Sequence, residues 1–184
     1  MRQGEKKMEP VERVKRTLAY KGRIIEVYKD NVRFSDGRES VWDYIDHVGA
    51  AAVVPVTAEG KILLVKQYRN ALDRFTYELP AGKRDAADEP MEVCAARELE
   101  EETGYVAGKL LPLITVNTTV AFCNEKIGIF AALDLQKTQQ HLDADEEIEL
   151  YEFTPEELLT MIREQKMTDS KTVAGILAYL TFMK

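Results

Sequence analysis

One segment of this chain, residues 82–105, constrains its fold and chemistry more than any other. It reads GKRDAADEPMEVCAARELEEETGY and contains four carboxylates within Glu98–Glu102. Pro90 suits the first turn of a helix, and Asp88 suits its cap. Gly104 is typical of the left-handed residue at which a helix ends. We therefore predict a helix that carries the acidic run in its last turns.

Three of the four carboxylates share one face of this helix. At about 100° per residue, Glu98, Glu101 and Glu102 fall within one arc of about 100°, while Glu100 points elsewhere. Carboxylates near a helix C-terminus repel each other and the helix dipole. A hard divalent cation such as Mg²⁺ or Mn²⁺ would reverse that penalty, because it binds carboxylate oxygens. The alternative is a solvated surface on which Arg97 pairs with Glu101.

The order of residues around the helix favours the metal-binding interpretation. Gly82, Glu89 and the run Arg97-Glu98-Leu99-x-Glu101-Glu102-x-Gly104-Tyr105 resemble the Nudix box, the signature of Nudix hydrolases. Six residues separate Gly82 from Glu89, where the family usually has five. Because the additional residue lies in the loop Lys83–Asp88, we expect it to alter the loop more than the metal-binding turn.

The pattern along the rest of the chain predicts an α/β fold. We predict strands at Thr17–Tyr20, Ile24–Lys29, Asn31–Phe34, Glu39–Asp46, Ala51–Thr57, Lys61–Gln67, Thr76–Leu79, Leu110–Val116, Gly128–Leu135 and Ile148–Phe153. Two further helices are expected at Pro155–Gln165 and Asp169–Phe182. This order suggests a mixed sheet between helices, which agrees with the α/β/α sandwich that the resemblance implies. Residues 1–48 are expected to form a small antiparallel β subdomain before a Nudix domain at residues 49–184.

The composition limits which kinds of molecule this protein can bind and in which cellular compartment it is expected. A net charge of −7 and a pI near 5.1 argue against nucleic acid as a partner, whereas a small diphosphate remains accessible if metal ions supply positive charge. The longest apolar run is too short to cross a bilayer, and no signal peptide is visible. Cys94 and Cys123 suggest thiols in a reducing cytoplasm. Only two histidines are present, which disfavours a zinc site or a Ser-His-Asp triad.

The resemblance implies specific roles for the residues of the box. Glu98 and Glu102 match the principal metal ligands, and Glu101 matches a residue that shares a further ion. The backbone carbonyl of Ala81 is implied as another ligand. Arg97 is expected to orient the acidic cluster, with an exposed salt bridge of little energetic weight as the alternative. Mg²⁺ is the expected cofactor, and Mn²⁺ is an alternative.

Residues before the box are similar to those of ADP-ribose pyrophosphatases and related nucleoside-diphosphate-sugar hydrolases. The stretch runs from Gln67-Tyr68-Arg69 to Tyr77-Glu78-Leu79-Pro80-Ala81-Gly82-Lys83. In that subfamily the arginine matching Arg69 contacts the diphosphate, and the glutamate matching Glu78 lies beside the substrate. A planar guanidinium suits a diphosphate, although a surface charge is the alternative for Arg69.

A second acidic run, Asp143-Ala-Asp-Glu-Glu-Ile-Glu-Leu, precedes the last predicted strand. It does not fit an EF-hand, because Ile148 stands where that motif needs glycine. In ADP-ribose pyrophosphatases a mobile loop here carries a glutamate that activates the attacking water. Glu146 matches that position best and Glu147 second, with a solvated turn as the alternative.

Four further features bear on the substrate and on assembly. The single tryptophan, Trp42, is expected in core or interface packing, or stacked on the substrate's nucleobase as aromatics of the subfamily are. The subfamily exchanges its N-terminal strands between two subunits, which implies a homodimer. Glu125 matches a position near the active site. Val120 and Ala121, however, replace the Pro-Gly pair common in ADP-ribose enzymes.

The sequence thus predicts a Mg²⁺-dependent hydrolase that splits ADP-ribose into AMP and ribose 5-phosphate. A GDP- or UDP-hexose is the alternative substrate, because the Pro-Gly pair is missing. A sensor that binds a nucleotide sugar without cleaving it is disfavoured, since a sensor does not need the complete set of metal ligands.

Overall fold

The computed structural model describes residues 9–23, 25–142, 144 and 146–183. In these residues the chain forms, in order, β1 (Glu12–Lys21), β2 (Glu26–Arg33), β3 (Glu39–Asp46), β4 (Ala50–Pro55), β5 (Ile62–Arg69), β6 (Arg74–Glu78), β7 (Ala81–Lys83), α1 (Met91–Thr103), β8 (Tyr105–Asn117), β9 (Lys126–Lys137), β10 (Glu149–Phe153), α2 (Pro155–Arg163) and α3 (Ser170–Phe182). They belong to two compact units. The N-terminal unit comprises the chain up to His47 together with Thr119–Asn124, and the Nudix-box unit comprises the remainder.

The N-terminal unit is built on a three-stranded antiparallel sheet in the order β1-β2-β3. Its second strand is continuous, so the prediction of two strands at Ile24–Lys29 and Asn31–Phe34 was wrong, and Ile24 itself lies outside the described residues. Arg16 fixes the sheet by donating to both oxygens of Asp30, at 2.7 and 2.6 Å. The same guanidinium lies 3.5 Å from the ring centroid of Tyr44.

A distant loop completes the N-terminal unit. The backbone N–H of Ile45 donates to the carbonyl of Phe122 at 2.7 Å. The side chain of Asn124 accepts from the N–H of His47 at 2.8 Å and donates to Asp46 at 2.7 Å. Backbone pairing of this kind is invisible in a local sequence pattern, and the sequence did not predict it.

A four-stranded sheet organises the Nudix-box unit, in the order β7-β4-β9-β8. Strands β4 and β9 are parallel, and the other neighbours are antiparallel, so the sheet is mixed as predicted. Strand β7 is an addition to the predicted elements. It is only three residues long, too short for a periodic signal, and its pairing with β4 places Ala81 opposite Ala52.

Helices cover both faces of this sheet. Every residue of β4 is buried, and alternate side chains enter two different cores. Ala51 and Val53 pack with Leu99 of α1, whereas Val54 packs with Ile176 of α3. The predicted α/β/α arrangement is therefore confirmed. Among the described residues, no helix has the run of uncharged, apolar side chains that a membrane-spanning segment requires.

A second, antiparallel sheet in the order β10-β5-β6 carries the residues that precede the box. Its register pairs Arg69 with Arg74 at the turn and Val65 with Glu78 further along. Tyr77 contacts Tyr151 and Phe153 edge to face, at ring-centroid distances of 5.2 and 5.3 Å.

Candidate active site

Helix α1 presents the acidic run as predicted, although its N-terminus differs. Pro90 occupies the N-cap position with an extended backbone, and no side chain caps the helix, so the prediction of Asp88 as cap was wrong. At the other end Gly104 adopts φ 68°, and its N–H donates to the carbonyl of Glu100. This left-handed residue ends the helix directly after the acidic face.

Two of the predicted metal ligands, Glu98 and Glu102, are buried against the start of β7. The N–H of Ala81 donates to Oε2 of Glu102 at 3.0 Å. A Cβ atom at Gly82 would lie 2.1 Å from Oε1 of Glu98, so only glycine allows this carboxylate to lie over the strand. The chain thus brings Ala81, Glu98 and Glu102 together. Glu101 lies at the edge of the group, with 41% of its side chain exposed.

Burial makes both inner carboxylates difficult to ionise. Burial raises the pKa of Glu98 to about 7, although Arg97 opposes the rise. It raises the pKa of Glu102 to about 8, opposed by the hydrogen bond from Ala81. The charge of Glu146 contributes to both increases, which places that residue within electrostatic range of the acidic face.

Arg97 is the centre of a network rather than an exposed salt bridge. Its Nη1 donates to Glu98 at 2.7 Å and to Glu101 at 2.9 Å. Its Nη2 donates to the carbonyl of Lys83 at 3.1 Å, and its Nε lies 3.5 Å from Glu89. One guanidinium therefore connects the acidic face of α1 to both ends of the loop that carries the additional residue.

The donor set fits a hard divalent cation in its chemistry. Among the described residues, no three His, Cys, Asp or Glu side chains are grouped so as to hold a metal ion. Glu98 and Glu102 are nevertheless carboxylates whose ionised forms are destabilised by burial. A divalent cation bound beside them would stabilise those ionised forms. In this structure the guanidinium of Arg97 partly neutralises the negative charge of Glu98.

Arg69 and Glu78 form an ion pair close to the acidic face. Nε and Nη2 of Arg69 donate to the two oxygens of Glu78, at 2.7 Å each. These bonds raise the pKa of Arg69, with a smaller contribution from the charge of Glu102. The predicted diphosphate-binding arginine and the predicted metal ligands therefore lie within electrostatic range of each other.

The sequence missed one charged partner of this pair, Lys171 at the start of α3. Its Nζ donates to Glu78, which also accepts hydrogen bonds from Arg69 and from the hydroxyl of Thr76. Burial alone would raise the pKa of Glu78, but the two cations lower it to about 2. The available signal was a lysine in the first turn of the predicted helix Asp169–Phe182, where the helix dipole disfavours a cation.

The two candidate loop glutamates have different surroundings. Glu146 acts electrostatically on Glu98 and Glu102, whereas Glu147 lines a separate cavity of about 300 Å³ with Gln67 and Tyr68. Of the two, Glu146 is the one that the structure relates to the acidic face. Asp143 and Asp145, in the same acidic run, lie outside the described residues.

Glu125 is held at the base of the loop that leads into the N-terminal unit. Thr118 donates its hydroxyl to the Glu125 carboxylate at 2.7 Å, and its N–H donates to the Glu125 carbonyl.

Trp42 lies in the N-terminal unit, where it lines an apolar cavity of about 600 Å³. Its ring packs edge to face on Phe34, with 6.0 Å between the ring centroids. Ala121 and Phe122 line the same cavity, while Val120 is 83% exposed. The loop without the Pro-Gly pair therefore shares a cavity with the only tryptophan.

Comparison with known proteins identifies the family. The NUDIX domain matches residues 46–174. An ADP-ribose pyrophosphatase from Bacillus subtilis (strain 168) is 40% identical, over 85% of each chain. A methanol dehydrogenase activator from Bacillus methanolicus is 38% identical, over 89% of each chain. The crystal structure of an ADP compounds hydrolase has the same fold, with a TM-score of 0.86 at 18% identity over 97% of this chain and 96% of the other. The chain belongs to the Nudix hydrolase family.

Proposed function

We propose that this enzyme hydrolyses the diphosphate bond of ADP-ribose, releasing AMP and ribose 5-phosphate, with Mg²⁺ as its cofactor. The observation that carries the proposal is the buried pair Glu98 and Glu102, with Arg69 in electrostatic range. The name of the relative from Bacillus subtilis supports ADP-ribose as substrate. Nudix hydrolases generally need a divalent metal ion, and carboxylate ligands suit Mg²⁺.

The reaction is the attack of water on one phosphorus of the diphosphate. A new P–O bond forms to the water oxygen, the bond from that phosphorus to the bridging oxygen breaks, and the other phosphate leaves. In our proposal Glu98, Glu101, Glu102 and the carbonyl of Ala81 would hold a divalent cation, which would supply positive charge to the phosphate oxygens.

The other residues bind the substrate and move the proton. The guanidinium of Arg69 binds the diphosphate oxygens, and Glu78 orients that guanidinium by its two hydrogen bonds. Glu146 accepts the proton of the attacking water, and its influence on Glu98 and Glu102 favours it over Glu147. Arg97 holds the carboxylates of Glu98 and Glu101 in place.

For assembly we propose a homodimer in which residues 1–48 are exchanged and contribute to the partner's site. The boundary of the N-terminal unit after His47 supports this division. Exposed apolar side chains on β3, Val41 and Trp42, favour an interface there. Trp42 then stacks on the adenine, and Glu125 contacts the substrate. We also propose that the protein is located in the cytoplasm.

The test is phosphate release from a panel of diphosphates in the presence of Mg²⁺, coupled to a phosphatase that acts only on the products. ADP-ribose, ADP-glucose, GDP-mannose, UDP-glucose, dinucleoside polyphosphates and a nucleoside triphosphate are compared. We expect ADP-ribose to give the highest kcat/KM. The Glu102→Gln variant should lose most of the rate, and Glu100→Gln, the same change on the same helix, should keep it.

Three outcomes would change the proposal. A preference for GDP-mannose or UDP-glucose would point to the replacement of the Pro-Gly pair by Val120-Ala121 as the determinant of specificity. Near-normal turnover by a folded Glu102→Gln variant would contradict the assignment of the metal ligands. Absence of turnover across the whole panel would leave the nucleotide-sugar sensor as the remaining interpretation.

A further inference from the structure

Four charged side chains form a cluster between β5, β6 and the start of α3: Arg69, Glu78, Asp169 and Lys171. Glu78 is at its centre, with 4% of its side chain exposed. Arg69 engages both oxygens of Glu78, and Lys171 donates to Oε2 as well. Lys171 also donates to Asp169 at 2.9 Å. One carboxylate oxygen of Glu78 is therefore shared between two cations.

The start of α3 is fixed firmly against the end of β6. Thr172 is fully buried, and its hydroxyl oxygen accepts from the N–H of Leu79 at 2.8 Å. Asp169 caps the helix by accepting from the N–H of Thr172. Gly175 allows the close approach, because a Cβ atom there would lie 2.6 Å from Leu79 Cδ1. Lys171 and Thr172 thus hold two consecutive residues, Glu78 and Leu79.

The cluster opens onto a cavity of about 440 Å³ that Arg69, Arg74, Thr76 and Lys171 help to line. Of the Arg69 side chain, 41% is exposed. Glu78 engages Nε and Nη2 of Arg69 and does not engage Nη1. The guanidinium is therefore held on one edge and open to a ligand on the other.

We propose that Lys171 is a positioning residue that keeps Arg69 available to the diphosphate of the substrate. This inference rests on the proposed function and deepens it. With Lys171 present, the formal charges of the cluster sum to zero. Without it, Arg69 is the one cation that pairs with Glu78 among the described residues, and the remaining three side chains of the cluster carry a net charge of −1 beside the arginine that must bind two phosphates. Lys171 therefore weakens the ion pair between Glu78 and the guanidinium of Arg69, so that the guanidinium can also bind phosphate oxygens.

The test is a double-mutant cycle with Lys171→Met and Arg69→Ala, measured by steady-state kinetics with Mg²⁺ and ADP-ribose. We expect Lys171→Met to raise KM about tenfold, because the net negative charge left in the cluster opposes binding of the phosphates. A change in kcat of no more than about twofold is expected, because the chemical step is not involved. In the Arg69→Ala background, Lys171→Met should have no further effect on KM.

Matched variants separate this role from general damage. Lys109→Met makes the same change of charge at an exposed lysine that pairs with Asp134, and it should leave KM unchanged. Lys171→Arg keeps the charge and should recover most of the affinity. If Lys171→Met fails to fold, Lys171→Gln replaces it in the cycle, since it keeps a hydrogen-bond donor at the buried position.

Binding measured without metal distinguishes this inference from the proposed function. The Kd of ADP-ribose is determined by calorimetry in EDTA for the same four proteins of the cycle. Coupled effects of Lys171 and Arg69 on Kd, with no turnover by the unmodified enzyme, would refute the proposed function alone. Additive effects on KM and Kd, with turnover intact, would refute the role of Lys171 alone. Neither binding nor turnover by the unmodified enzyme would refute both.

Discussion

The ion pair of Glu78 should give the protein a specific sensitivity to acid. Burial by itself would raise the pKa of Glu78, but Arg69 and Lys171 lower it from 4.5 to about 2. At about 1.4 kcal/mol for each pH unit, this difference corresponds to about 3 kcal/mol of folding free energy. Glu78 is almost fully buried, so solvent screening removes little of that value.

The sign of the effect follows from the direction of the change. A carboxyl group with a lowered pKa in the folded state stabilises that state above its unfolded pKa, and the stabilisation disappears as the pH falls through the folded pKa. For Glu78 the window extends from about pH 5 to about pH 2. Of the total, about 2 kcal/mol should be lost between pH 7 and pH 3.

The measurement is the free energy of unfolding in urea at pH 7, 5, 4 and 3 for the unmodified protein and for Glu78→Gln. We expect Glu78→Gln to be about 3 kcal/mol less stable at pH 7, and the difference to shrink by about 2 kcal/mol at pH 3. Glu59→Gln, at an exposed turn, controls for the loss of one carboxylate. A difference between the unmodified protein and Glu78→Gln that stays constant with pH would refute the reasoning.

Three further predictions concern the proposed site. Glu146→Gln should lower kcat at least about tenfold in Mg²⁺-dependent turnover, whereas Glu147→Gln should change it little. The reverse result would identify Glu147 as the general base. Gly82→Ala should destabilise the protein and weaken stabilisation by Mn²⁺ in thermal unfolding, because its Cβ would collide with Glu98; an unchanged melting temperature would contradict this contact. ADP-ribose should quench the fluorescence of Trp42, the only tryptophan, whereas ribose 5-phosphate should not; equal responses to the two ligands would exclude adenine stacking.

The α/β/α layers and the acidic helix could be predicted because they depend on patterns among residues close together in the sequence. A helix that ends at Gly104 with three carboxylates on one arc needs only the 3.6-residue repeat and a glycine. The continuous apolar run of β4 likewise predicts a strand that is buried on both faces. Because those features do not depend on distant partners, the sequence was sufficient for the central sheet and for the position of Glu98 and Glu102.

What the sequence did not reveal depends on pairing between distant residues. Lys171 lies 93 positions from Glu78, and no periodicity relates a helix N-terminus to a strand so far away. The three-residue strand β7 exists because β4 offers it backbone partners. The central position of Arg97 was also hidden, since the carbonyl of Lys83 is visible as a partner only once the loop is folded.

The loop Thr119–Asn124 has a consequence for truncation and for divergence within the family. Because the loop between β8 and β9 belongs to the N-terminal unit, the chain leaves and re-enters that unit instead of passing through it once. Deletion of residues 1–48 would therefore leave the carbonyl of Phe122 and the side chain of Asn124 without their partners in β3 and His47. Because the N-terminal strands and this hairpin loop depend on each other for these bonds, we expect a substitution in either to be accompanied by change in the other.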